Sequence, residues 1–161
     1  MAKTDRMAAF EEAFEDFVEA FRQIPEVRLG AAMESTSPRQ LAAQLSVWNR
    51  LCHEACLALK ANQGPAHYGE ADPAASEAFR DAVRRLEALE VSRLAEEVTA
   101  SKEDLARLLT SLEAEEWTAD RGIRHPEGGP ASIRREVETL SRRYLDATDE
   151  ILLWLHPPPR R

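Results

Sequence analysis

The sequence predicts an all-α fold, a four-helix bundle in one domain, and two observations carry that expectation. The last long apolar stripe, Ile133, Val137, Leu140, Tyr144, Ala147, Ile151 and Leu155, steps by four and three and so lies on one face of a helix about 35 Å long. The composition agrees: six glycines in 161 residues, with abundant Ala, Glu, Leu and Arg, favour helix over sheet.

The first helix is read from Met7, Phe10, Phe14, Phe17, Phe21 and Ile24, with Val18 widening the stripe and Pro25 ending it. A face this aromatic needs another apolar surface to cover it, so it belongs in a bundle. The second helix is announced by Ser37-Pro38-Arg39-Gln40, a capping serine, a first-turn proline and a glutamine placed for a capping box. Its inward face is Leu41, Leu45, Trp48, Cys52, Ala55 and Leu59, and it stops near Asn62-Gln63-Gly64-Pro65. Gly64 to Pro73 then reads as a long connection.

Residues 74–113 contain neither Gly nor Pro, yet the apolar phase slips. Phe79, Val83 and Leu86 make one stripe, and Val91, Leu94, Val98, Leu105, Leu108 and Leu112 make another. The expectation is a shorter helix to about Leu89, a break, and then the third bundle helix. Trp117 to Ser132 reads as a loop, with Ser132 capping the fourth helix. One domain over 1–155 is followed by an extended tail at 156–161, whose three prolines cannot continue a helix. The long connections leave room for a non-sequential order of helices, since a plain up-down bundle uses shorter loops.

Charge and composition exclude several classes of function. A formal charge of −8 argues against nucleic acid, because phosphate binding needs a basic surface. No run of 18 apolar residues exists to span a membrane. The start, Met-Ala-Lys-Thr-Asp-Arg, lacks an apolar signal core, and two cysteines without an export signal suggest free thiols in the cytoplasm.

The chemistry-bearing residues are few. Cys52-His53-Glu54-Ala55-Cys56 places two thiols four apart, but His53 is about 100° round the helix and no second pair completes four ligands. Core packing is the expectation for both cysteines. His67 and His125 fall in the two long loops, where such residues either face solvent or meet across the mouth of a bundle. Gly128-Gly129-Pro130 lacks the Lys-Ser/Thr of a phosphate loop and reads as a turn. Arg143, beside Tyr144 on or near the inward face, needs either an acidic partner on the first helix or at the rim, or an anionic ligand.

Two segments resemble the DinB-like (YfiT-type) superfamily of four-helix bundles. Ser37-Pro-Arg-Gln-Leu-Ala-Ala-Gln-Leu-Ser-Val-Trp48 is similar to that family's second helix. The run from Glu90 to Trp117, followed by Gly128-Gly-Pro-Ala-Ser-Ile133-Arg, is similar to its entry into the fourth helix. Glu138-Thr139-Leu-Ser-Arg-Arg-Tyr144 echoes the ClbS/DfsB-like branch. The resemblance implies a homodimer with a stress-related or detoxifying role. Many members hold a divalent metal through one histidine of the second helix and two of the fourth. Here those positions carry Gln44, with Arg143 and Ala147, or after a one-residue slip Arg142 and Asp146. No imidazole remains, so no metal or other cofactor is expected. The expected site is a pocket lined by Gln44, Trp48, Thr139, Arg143 and Tyr144 that binds a small organic molecule, anionic where Arg143 meets it. The alternatives are a metal-free hydrolase or detoxifying enzyme using His67, His125 or a helix carboxylate, and a non-catalytic dimerisation module.

Overall fold

A computed structural model describes residues 2–161. Six α-helices are present among them: α1 (Lys3–Arg22), α2 (Pro38–Lys60), α3 (Glu77–Glu87), α4 (Val91–Ser111), α5 (Ala114–Thr118) and α6 (Ile133–Leu155). The bundle is made by α1, α2, α4 and α6, the four helices expected from the apolar stripes. Its order is non-sequential. α1 packs along α6, α6 along α2, and α2 along α4, while ion pairing of Lys102 with Glu11 ties α4 back to α1. The short helix α3 rides outside, against α2.

The helix ends follow local chemistry. Ser37 Oγ accepts from the Gln40 amide at 3.1 Å, and Ser132 Oγ accepts from the Arg135 amide at 3.1 Å. Gln40 departs from the expected capping box, because its Oε1 accepts from the Thr36 hydroxyl at 2.7 Å. α2 closes in a Schellman motif: Gln63 N–H bonds Ala58 O and Asn62 N–H bonds Leu59 O, with Asn62 at φ 56°. The break between α3 and α4 is held by Arg39, whose guanidinium donates to the carbonyls of Glu87 and Leu89 at 3.1 and 2.7 Å.

Among the described residues, the buried polar side chains are Thr148, whose hydroxyl donates to the Tyr144 carbonyl at 2.9 Å, and a strip that joins three helices. Asn49 donates to Ser101 Oγ at 3.0 Å and to Val98 O at 3.4 Å, and Ser46 pairs with Ser101 at 3.2 Å. Asn49 Oδ1 accepts from the Tyr144 hydroxyl at 2.8 Å. The Tyr144 ring is met edge-on by Phe10, Phe14 and Phe17, with centroids 5.6–6.1 Å away, a geometry that favours aromatic pairs beyond their buried area. Burial pushes the Tyr144 phenol well above its ordinary range, so it stays a neutral donor.

The segment expected to be a loop from Trp117 onward begins inside the single-turn helix α5, where Trp117 is 1% exposed. A capping box between Glu113 and Glu116 stabilises that turn. The Trp117 indole N–H has no acceptor among the described residues, so the ring contributes through its apolar area. Trp117→Ala is therefore expected to destabilise the protein by about 3–5 kcal/mol, and Trp117→Phe, which keeps most of the apolar ring, by distinctly less. Urea unfolding followed by circular dichroism checks both, and equal losses would contradict an apolar role for the ring.

Candidate functional site

The stripe of α6 that carries Tyr144 into the core leaves its neighbouring face to a cavity between α2, α6 and the two long connections. Glu136, Thr139, Leu140 and Arg143 line it from α6, and Trp48, Leu51 and Cys52 from α2; its volume is about 120 Å³. Residues 136, 139/140 and 143 recur at the helical spacing, so one face of α6 presents a carboxylate and a guanidinium two turns apart.

Arg143 is the focus. Its guanidinium lies over the Trp48 ring, 3.6 Å from the centroid, and the Trp48 ring is itself 4.9 Å from that of Phe79. Among the described residues no carboxylate stands within ion-pairing distance of Arg143. Burial draws its pKa down, while the more distant carboxylates of Asp72, Glu127, Glu136 and Asp146 act in the other direction. An arginine stays protonated in any case. Stacking on an aromatic face stabilises a desolvated cation by roughly 2 kcal/mol, and it leaves the guanidinium's N–H donors free for an oxyanion.

At the other end of the cavity the two loop histidines both pack against Tyr68. The connection after α2 forms single 3₁₀ turns at Ala66–Gly69 and Pro73–Ala75. It brings His67 and Tyr68 edge-to-face, centroids 5.3 Å apart, and the His125 ring is also 5.3 Å from that of Tyr68. The Tyr68 hydroxyl donates to the Glu136 carboxylate. His125 Nε2 is 3.6 Å from the same Glu136 oxygen. His125 sits in the turn before α6, closed by His125 N–H to Gly129 O and Gly128 N–H to His125 O, both 2.9 Å. Gly128 and Gly129 adopt φ of 93° and 78°, which a side chain would strain. Arg135 fastens the turn by donating to Gly128 O at 2.5 Å. His125 Nδ1 accepts from the Glu127 amide at 3.1 Å, so in the neutral ring the proton is on Nε2, facing Glu136.

The five residues expected to line the site are not all brought together. Trp48, Thr139 and Arg143 face the cavity. Gln44 lies one turn before Trp48, half-buried and outside the cavity wall. Tyr144 is a correction: it is fully buried and bonded to Asn49, because a residue next to Arg143 is rotated about 100° round the helix. The four-step pair facing the cavity is Thr139 and Arg143. Ala147, aligned from the resemblance with a metal-binding position, is in the core at 3% exposure, and Arg142 and Asp146 are exposed. Glu136 and Tyr68 were missed, since an acidic residue in a polar first turn and a loop tyrosine look solvent-facing in sequence.

A metal does not suit this donor set. A guanidinium repels a cation, an indole is no ligand, and among the described residues no three His, Cys, Asp or Glu side chains are placed to hold one metal ion. Cys52 and Cys56 are free buried thiols. Their mutual hydrogen bond and burial push the Cys52 thiol well above its ordinary range, making it a weak nucleophile.

No family model matches the chain, and no curated protein matches it in sequence. Solved structures do share the fold. An uncharacterised protein from Escherichia coli UTI89 aligns over 95% of this chain and 92% of its own, with TM-score 0.75 and 17% identity. A protein from Streptococcus pneumoniae aligns over 96% and 91%, with TM-score 0.77 and 14% identity. The mycothiol-dependent maleylpyruvate isomerase aligns over 94% of this chain and 61% of its own, with TM-score 0.78 and 11% identity. At these identities the likeness establishes the all-helical fold. No helix of the described residues is long and apolar enough to cross a membrane.

Burial, and then the charge of Arg135, lower the His125 pKa from its ordinary value. The native state therefore resists a proton that the unfolded chain accepts, so the neutral ring contributes stability above the unfolded value, about 6.5, and that contribution is lost as pH falls. The urea midpoint is expected to drop less between pH 7.5 and 5 in His125→Gln than in the unsubstituted protein. Equal drops would contradict a buried neutral His125.

Proposed function

We propose that the cavity binds a small organic anion, with Arg143 as its anchor. The observation that carries this reading is a half-buried guanidinium stacked on Trp48 with no ion-pairing carboxylate among the described residues. Charge-assisted hydrogen bonds from a planar guanidinium to a carboxylate are bidentate and among the stronger polar contacts. Trp48 supplies a rigid apolar wall, and Thr139 adds a hydroxyl at the rim. The DinB-like resemblance of the sequence is in keeping with this site and with the fold neighbours, one of which is named as an isomerase of a small organic acid.

Calorimetric titration with butyrate and with uncharged butyramide tests the reading. Butyrate is expected to bind the more tightly, and Arg143→Gln to weaken it at least about thirtyfold, equivalent to about 2 kcal/mol, with the helical signal unchanged. Equal affinity for the two probes, or an unaffected Arg143→Gln variant, would overturn it.

A second reading, a metal-free hydrolase of the ClbS/DfsB type, is favoured by the Tyr68–Glu136–His125 cluster at the opposite end of the cavity. Glu136 accepts from Tyr68 and lies 3.6 Å from His125 Nε2, so under this reading it is the general base that takes a proton from a water attacking an ester carbonyl, and the ester's alkoxide or phenoxide departs. General acid–base groups contribute about 10²–10⁴-fold. Under this reading 4-nitrophenyl butyrate is hydrolysed above the buffer rate, and Glu136→Gln removes the excess. An excess rate that survives Glu136→Gln would remove that role.

A further inference from the structure

A larger groove lies beside the cavity. It runs between α2 and α3, with a volume of about 570 Å³. Its apolar surface comes from Val47 and Leu51 on α2 and from Ala78, Phe79, Ala82 and Leu86 on α3. The cavity and the groove share walls. Leu51, His67, Glu70 and Pro73 border both, and the Trp48–Phe79 ring contact at 4.9 Å links a residue of one to a residue of the other. The 66–75 connection thus borders the two spaces together.

Size and polarity assign different parts of a ligand to the two spaces. A closed apolar cavity of about 150 Å³ holds a molecule the size of benzene, so 120 Å³ holds a head group and little more. Organic-ligand pockets occupy about 300–1,000 Å³, a range that the groove reaches and the inner cavity does not. The unpaired cation stands in the small space, over Trp48. The groove is also lined by Glu54, Glu70, Glu97 and two arginines, Arg85 and Arg50, the second already paired with Asp104 at 2.5 Å.

Building on the anion-binding reading above, we infer that the two spaces form one site for an amphiphilic carboxylate. Its head is held by Arg143 in the inner cavity, and its apolar chain passes Leu51 to lie along the groove against α3. A medium-chain fatty acid or an arylalkanoic acid has this chemistry. A short hydrophilic acid fills only the inner part. The placement also gives α3 a role, since this helix stands outside the four-helix core and supplies the outer wall of the groove.

Titration with butyrate, hexanoate and octanoate below their micelle concentrations separates this inference from the reading it rests on. Each methylene buried contributes about 0.8 kcal/mol, so affinity is expected to rise about fourfold per added methylene. Ala82→Trp and Ala78→Trp, two substitutions that fill the groove from α3, are expected to bring octanoate down to the affinity of butyrate within the same variant. A chain-length series that is flat, or one that survives both substitutions with the fold intact by circular dichroism, would overturn the two-part site. A flat series in which butyrate binds and Arg143→Gln abolishes it would leave anion binding standing and remove only the groove. Absence of binding by all three acids would remove both.

Discussion

The hydrogen bond from the Tyr144 hydroxyl to Asn49 stands at the centre of the molecule, and the placement of everything on α6 depends on it. Tyr144 is fully buried among three phenylalanines of α1, a setting in which an unmet hydroxyl costs several kcal/mol. Asn49 supplies the acceptor from α2 and spends its amide protons on α4. One polar contact therefore sets the rotation of α6 against three other helices. Because successive helical residues are about 100° apart, fixing Tyr144 inward also fixes Arg143 toward α2 and the cavity. A different rotation of α6 would bury a charge or expose the phenol.

The cavity's two ends are built by opposite means. Arg143 is held by a rigid helix and a single aromatic face, so its donors are pre-arranged and available to a ligand. The Glu136 end is crowded. A tyrosine from one connection and a histidine from the other converge on it, and a turn with two positive-φ glycines presents the histidine. Burial raises the Tyr68 phenol and lowers His125, and the carboxylates of Glu70, Glu127 and Glu136 border the same cavity. Arg143 is the only Lys or Arg among the residues lining it, so a ligand's anionic group has that one guanidinium as its complementary partner.

Four bundle helices, the break after Leu89 and the capping serines were legible because apolar period and cap chemistry are local signals. Their order around the bundle followed only loosely from long connections. Asn49 and Ser101 were invisible because a polar residue on a helix reads as solvent-facing until its partners are known. Tyr144 illustrates the converse: its place on the inward stripe was plain, yet inward meant the core and not the pocket. Arg143 and Trp48 could be named from sequence, but their stacking needed the separation of α2 and α6. The meeting of His67, Tyr68, His125 and Glu136 joins residues 68 positions apart, which periodicity does not encode. Trp117 reads as loop in the sequence because glycines and prolines follow it, yet one capped turn carries it into the core.

A crystal structure of the protein grown with butyrate tests most directly whether Arg143 is an open anion anchor. The carboxylate is expected about 2.7–2.9 Å from two guanidinium nitrogens, with the guanidinium still stacked on Trp48. A guanidinium turned away from Trp48 onto Asp72 or Asp146, with no butyrate in the cavity, would contradict it.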